Sequence, residues 1–176
     1  MTETTRAAAP APSHAPGGTG GDTRTAFRTA ATDAEMRALG RRIAAELRPG
    51  DLLILSGPLG AGKTTLTQGI GEGLDVRGPI TSPTFVIARV HPPLSGGPAL
   101  VHADAYRLGG PDELDDLDLD TGLGESVTVV EWGEGIAEDL TDERLEITIA
   151  RRADDIRGIT LTGIGARWAG AALYAD

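Results

Sequence analysis

The stretch "SGPLGAGKTT", Ser56 to Thr65, decides the fold. Gly57, Gly62, Lys63 and Thr64 match G-x-x-x-x-G-K-[ST], between the apolar run "DLLILSG" and the helical segment "KTTLTQGIGEGL". A buried strand, a glycine-rich turn and a helix in that order make a phosphate-binding P-loop. Gly57, Gly60 and Gly62 let the backbone turn its N–H groups inward, and the helix adds the positive end of its dipole. Gly60, Ala61, Gly62, Lys63, Thr64 and Thr65 are therefore the candidate nucleotide contacts. Lys63 is suited to the β and γ phosphates and the Thr64 hydroxyl to Mg²⁺. Lys63 is also the only lysine among 16 basic residues, placed where a compact point charge must fit a tight loop.

Before this centre, "TRTAFRTA" has strand composition and "TDAEMRALGRRIAAELRPG" reads as a helix. Thr32 and Glu35 form a capping box, Met36, Leu39, Ile43 and Leu47 share one face, and Pro49-Gly50 stops the helix. After it, strands are predicted at "TFVIARV", "ALVHADA", "SVTVVEW", "RLEITIA" and "IRGITLTG", and helices near "PDELDDLD" and "EGIAEDL". Many strands with few long helices predict an α/β, P-loop NTPase-like three-layer fold whose sheet is mixed with a mostly parallel core, flanked by helices. The first 22 residues are mostly Thr, Ala, Pro and Gly, a composition that cannot offset the entropy of ordering. The expected layout is a disordered tail over 1–22, one P-loop domain over 23–165 and a C-terminal tail over 166–176.

Composition narrows the function classes. There is no cysteine, which excludes disulfides and thiolate metal sites. No run is long and apolar enough for a membrane span or a secretory leader, so the chain is read as cytoplasmic with no membrane partner. Net charge is −10, and 13 of the 26 acidic residues lie between Leu108 and Glu143, where no Lys or Arg occurs. Such a surface repels phosphate backbones, and six aromatics are too few for a base-stacking platform; stable direct nucleic-acid binding by this chain alone is not expected. The acidic stretch has two readings, a face for a basic protein partner or a solvated surface.

The remaining motifs choose among P-loop classes. Guanine-specific switches use Asn-Lys-x-Asp, which needs a second lysine, so ATP is favoured. "LSGGP", Leu94 to Pro98, imitates the transporter ATPase signature but precedes a strand rather than a helix, and is read as a loop. "VTVVEW" runs into Glu131, the strand-end carboxylate of a Walker B element and the second Mg²⁺ candidate. Asp104 ends another strand, where it orients a water or pairs with Arg107. Thr32 either approaches the base or ribose or serves only as a helix cap. His102 is read as a packed or hydrogen-bonded side chain.

"GPLGAGKTT", "SPTF" (Ser82 to Phe85), "HADAYRL" (His102 to Leu108) and "VVEWGEG" stand in the order and spacing of the TsaE (YjeE) family, which the sequence resembles from about Phe27 to Leu161. The resemblance implies an accessory ATPase of bacterial tRNA modification, needed to make threonylcarbamoyladenosine beside the anticodon, and not the transferase itself. It implies ATP and Mg²⁺ as cofactors and TsaD-like and TsaB-like proteins as partners. It further implies that Thr84 lies in a switch-like segment near the γ-phosphate and that Asp104 serves hydrolysis. Thr64 and Glu131 would hold Mg²⁺, and Trp132 would lie beside the nucleotide. Pro58 departs from the Asp common there in the family, at a position that works through backbone, and Arg157 matches a common basic residue. The competing readings are a small-molecule kinase, with Arg151, Arg152 and Arg157 as a lid, and a non-catalytic nucleotide sensor.

Overall fold

The computed structural model describes residues 22–83, 87–117 and 119–175. Its centre is a seven-stranded sheet built from β1 (Thr23–Ala30), β2 (Leu52–Ser56), β3 (Ala88–His91), β4 (Ala99–Asp104), β5 (Ser126–Glu131), β6 (Arg144–Arg151) and β7 (Arg157–Ile164). The spatial order is β1-β7-β6-β2-β5-β4-β3. The four central strands, β6, β2, β5 and β4, run parallel. On both sides the pairing turns antiparallel: β7 lies beside β6 and β1 beside β7 on one side, and β3 lies beside β4 on the other. This is the mixed sheet with a parallel core that the sequence predicts.

The reason lies in β2. All five of its residues are buried, and alternation sends them to opposite faces. Leu53 and Leu55 join the core beneath α1 (Asp33–Ala44) and α2 (Lys63–Gly73). Leu52 and Ile54 join the core on the other face, with Leu114 and Leu119 from α3 (Pro111–Asp115) and α4 (Leu119–Leu123). Each such side chain contributes about 1.5–3 kcal/mol by full burial, which fixes β2 as the sheet's middle. The two long helices lie close together because Gly40 faces Gly69: a Cβ at Gly40 would stand 2.8 Å from the Gly69 Cα.

Three local expectations change. "EGIAEDL" yields only a 3₁₀ turn over Glu138–Leu140, since Thr141 is already extended and leaves no length for a stable helix. The helix α1 stops at Ala44, before Pro49-Gly50. The sequence sets 166–176 apart as a tail, yet 3₁₀ turns at Ala166–Trp168 and Ala172–Tyr174 carry Trp168 and Leu173 into the core beneath α1 and α2. Two large side chains suffice for that docking but show no periodicity to read. The expected N-terminal tail, apart from Asp22, lies outside the described residues.

Candidate functional site

Because the central strands are parallel, β2, β4 and β5 end on the same edge of the sheet, where the loop after β2 turns into α2. Register brings three strand ends side by side, with Glu131 paired to Leu55 on one flank and to Asp104 on the other. A cavity of about 410 Å³ opens there. Gly60, Gly62, Lys63, Thr64 and Thr65 form one wall, and Ser82, Asp104, Tyr106, Glu131 and Trp132 face them. Asp33, Leu59 and Arg157 complete the lining.

In the loop, Gly62 holds φ at +109° as it caps α2, a conformation that disfavours any side chain. Lys63, at the first position of α2, is 5% exposed. Its Nζ donates to the carbonyl oxygens of Gly57 at 2.8 Å and Pro58 at 3.0 Å, and lies 3.9 Å from the centroid of the Trp132 ring. Burial pushes the Lys63 pKa below the usual lysine range, against the raising effect of the Glu131 and Asp104 charges. The ammonium is thus held by neutral oxygens and an aromatic face, and among the described residues by no carboxylate in direct contact.

Glu131 gathers the other side. Its carboxylate accepts from the Thr64 hydroxyl at 3.0 Å on Oε1 and 3.3 Å on Oε2, and from His102 Nε2 at 2.8 Å on Oε1. Asp104 accepts from the Tyr106 N–H at 2.9 Å and from the Ser82 hydroxyl at 3.4 Å. Both carboxylates are almost buried yet still line the cavity, so each keeps acceptor capacity pointed at whatever enters.

Trp132 stands just beyond β5 with a left-handed φ of +59° and donates its N–H to Leu55 at 2.8 Å. Its ring centroid lies 5.0 Å from that of Tyr106, which is 64% exposed. At the far end Arg157 pairs with Asp33 at 3.4 Å.

The sequence-predicted set is thus brought to one place with three exceptions. Thr32 caps α1 by accepting the Glu35 N–H at 3.1 Å and does not line the cavity, while its neighbour Asp33 does. The reciprocal half of that cap goes to Ala31, whose N–H reaches Glu35 Oε2 at 2.6 Å. Ala61 turns its side chain into the core, leaving only backbone for a ligand. Thr84 lies outside the described residues. Sequence reasoning missed Asp33, Leu59, Ser82 and Tyr106 as lining residues; Tyr106 and Ser82 could have been found from their places inside the "HADAYRL" and "SPTF" motifs.

Comparison with known proteins identifies the family and matches the fold. The family described as "Threonylcarbamoyl adenosine biosynthesis protein TsaE" matches residues 30–159. This chain belongs to the TsaE family. A Streptomyces coelicolor relative, named tRNA threonylcarbamoyladenosine biosynthesis protein TsaE, is 66% identical over 139 residues, covering 76% of this chain and 94% of its own. A Bacillus subtilis relative of the same name is 45% identical over 135 residues, covering 76% and 83%. The crystal structure of Bacillus subtilis YdiB superposes with a TM-score of 0.67 at 36% identity, covering 84% of this chain and 90% of that one. The mixed sheet and flanking helices of this TsaE-family chain are therefore also those of a solved relative. No helix among the described residues is long and apolar enough to cross a membrane.

Proposed function

We propose that this chain binds Mg·ATP in the cleft between the P-loop and the ends of β4 and β5, and hydrolyses it as a cytoplasmic accessory protein in threonylcarbamoyladenosine modification of tRNA next to the anticodon. It acts on a TsaD–TsaB-like transferase assembly and does not itself perform the transfer. The observation that carries the nucleotide chemistry is the convergence of Lys63, Thr64, Glu131 and Asp104 on one cavity from three different elements, α2, β5 and β4. The names of the relatives carry the pathway.

The residues present fit the two ligands. Mg²⁺ favours oxygen donors, and is commonly held by one or two carboxylates together with substrate phosphates. The Thr64 hydroxyl and the Glu131 carboxylate, already in contact, supply that donor set. Bound Mg²⁺ would neutralise phosphate charge. Lys63 offers an ammonium whose present partners are neutral carbonyls, which a phosphate outcompetes by charge. Trp132 lines the nucleotide's cleft and the Gly60 to Thr65 backbone cradles phosphate; the switch-like role of Thr84 rests on the family resemblance alone. Asp104 orients the attacking water. Arg151 and Arg152, which a kinase lid would need, instead pair with Asp155 and Asp154 in the turn between β6 and β7.

No arginine stands in the cradle or in "SPTF", and Arg157, which does line the cavity, is paired with Asp33; an arginine worth about 10³–10⁵ in rate is therefore not in place on the transition-state charge, and turnover by the isolated chain should be slow. The deciding experiment is an ATPase assay of the purified chain with and without TsaD-like and TsaB-like partners and with no acceptor. The expected result is slow basal hydrolysis, stimulated by partners. Asp104→Ala should lower turnover by about 10²–10⁴-fold with ATP affinity retained. Absence of hydrolysis under every condition overturns the ATPase reading, and parent-rate hydrolysis by Asp104→Ala removes the role given to that carboxylate.

A further inference from the structure

His102 lies on β4 with Val129 as its register partner on β5, and its side chain is fully buried. A packed apolar residue would suit that position: Leu100, two residues earlier on the same face, and Val129 both belong to the core beneath α1 and α2. Instead His102 donates from Nε2 to Glu131 Oε1 at 2.8 Å, since a carboxylate only accepts. Its other nitrogen, Nδ1, is buried with no hydrogen-bond partner among the described residues. A buried polar atom left so is unfavourable, a cost an apolar residue would avoid. The contact with Glu131 is what the histidine offers in return.

That contact is placed to orient the carboxylate. Glu131 Oε1 is held from two sides, by His102 Nε2 at 2.8 Å and Thr64 Oγ1 at 3.0 Å, whereas among the described residues Oε2 has only the longer Thr64 contact at 3.3 Å. A glutamate side chain has three rotatable bonds, and without a second anchor its head would leave the cleft for other rotamers. We propose that His102 is a positioning residue that fixes the Glu131 carboxylate beside Thr64, and thereby sets the affinity of the site for a divalent cation. The inference rests on the reading of this cleft as a Mg·nucleotide site. Partners that orient metal ligands in this manner are typically worth about 10–100-fold in metal affinity.

The test uses the full chain with bound ATP and measures the Mn²⁺ or Mg²⁺ concentration for half-saturation, by electron paramagnetic resonance of Mn²⁺ and by calorimetry, alongside metal-free ATP affinity in chelator. His102→Leu should raise the half-saturating cation concentration about 10–100-fold and leave metal-free ATP affinity within about twofold. His102→Gln, whose amide nitrogen reaches the place of Nε2, should recover most of the loss; His102→Asn, too short to reach, should not. Unchanged cation affinity in His102→Leu, in a background where Glu131→Gln loses it, overturns the inference. Unchanged cation affinity in Glu131→Gln overturns the metal reading itself. If His102→Leu does not fold, the Gln and Asn variants decide: equal cation affinity in the two overturns the positioning role, and a clear advantage for Gln supports it.

Discussion

The two ends of β2 each hold a buried charge, and they hold it differently. At the end before Leu52, Asp51 receives a two-pronged contact from Arg167, Nε at 2.8 Å to Oδ1 and a terminal nitrogen at 2.6 Å to Oδ2, and also accepts the Arg48 N–H at 2.9 Å. The same guanidinium donates to the Glu46 carbonyl at 2.6 Å and lies 4.3 Å from the Trp168 ring centroid. At the end after Ser56, Lys63 meets neutral carbonyls and an indole, while Glu131 and Asp104 stand opposite without closing an ion pair on it. One end is a closed set of partners that ties the last residues to the domain. The other keeps its charges apart in a lined cavity, where a ligand can complete them. Residue choice follows the division: a planar, forked cation for the closed pair, a compact and retargetable one for the open site.

Arg167→Met puts the division at greatest risk, because removing one partner of a buried pair leaves the other charge stranded. A loss of about 3–5 kcal/mol in denaturant unfolding is expected, with the Kd of Mg·ATP in the folded protein unchanged. Lys63→Met should show the converse. Mg·ATP binding by calorimetry weakens by about 2–3 kcal/mol, roughly a hundredfold, while the melting temperature moves by less than about 4 °C. If Arg167→Met abolishes nucleotide binding in folded protein, or Lys63→Met unfolds the domain, the two ends are not functionally separate. Thr32→Ala gives the smallest effect, about 1 kcal/mol of stability from the lost helix cap with ATP affinity intact. A tenfold weaker affinity would instead restore Thr32 to the nucleotide.

Legibility in the sequence tracks how local the determining interactions are. The cradle could be read directly, since glycine spacing, the sole lysine and the apolar run of β2 act within about 15 residues. Glu131 and Asp104 were legible as strand-end carboxylates, because parallel strands put such ends on a common edge. Arg157 and Asp33 meet only because β7 and β1 fold antiparallel beyond β6, a long-range arrangement that no local pattern encodes. His102 was legible as a buried histidine, but its contact with Glu131 depends on the register of β4 against β5. The docked C-terminus rests on single side chains, Arg167, Trp168 and Leu173, and so left no periodic trace.

The left-handed turn at Trp132 has a spectroscopic consequence. The chain contains two tryptophans, one above the Lys63 ammonium in the cleft and the other, Trp168, in the core beside the Arg167 clamp. A cation against an indole face shifts the energy of its excited state, so drawing the ammonium from Trp132 toward phosphate changes that ring's emission while Trp168 keeps its surroundings. With phenylalanine in place of Trp168, all indole fluorescence would originate at the cradle. The fold thus carries its own optical probe, with the quantum yield of one ring reporting where a single proton-bearing nitrogen points.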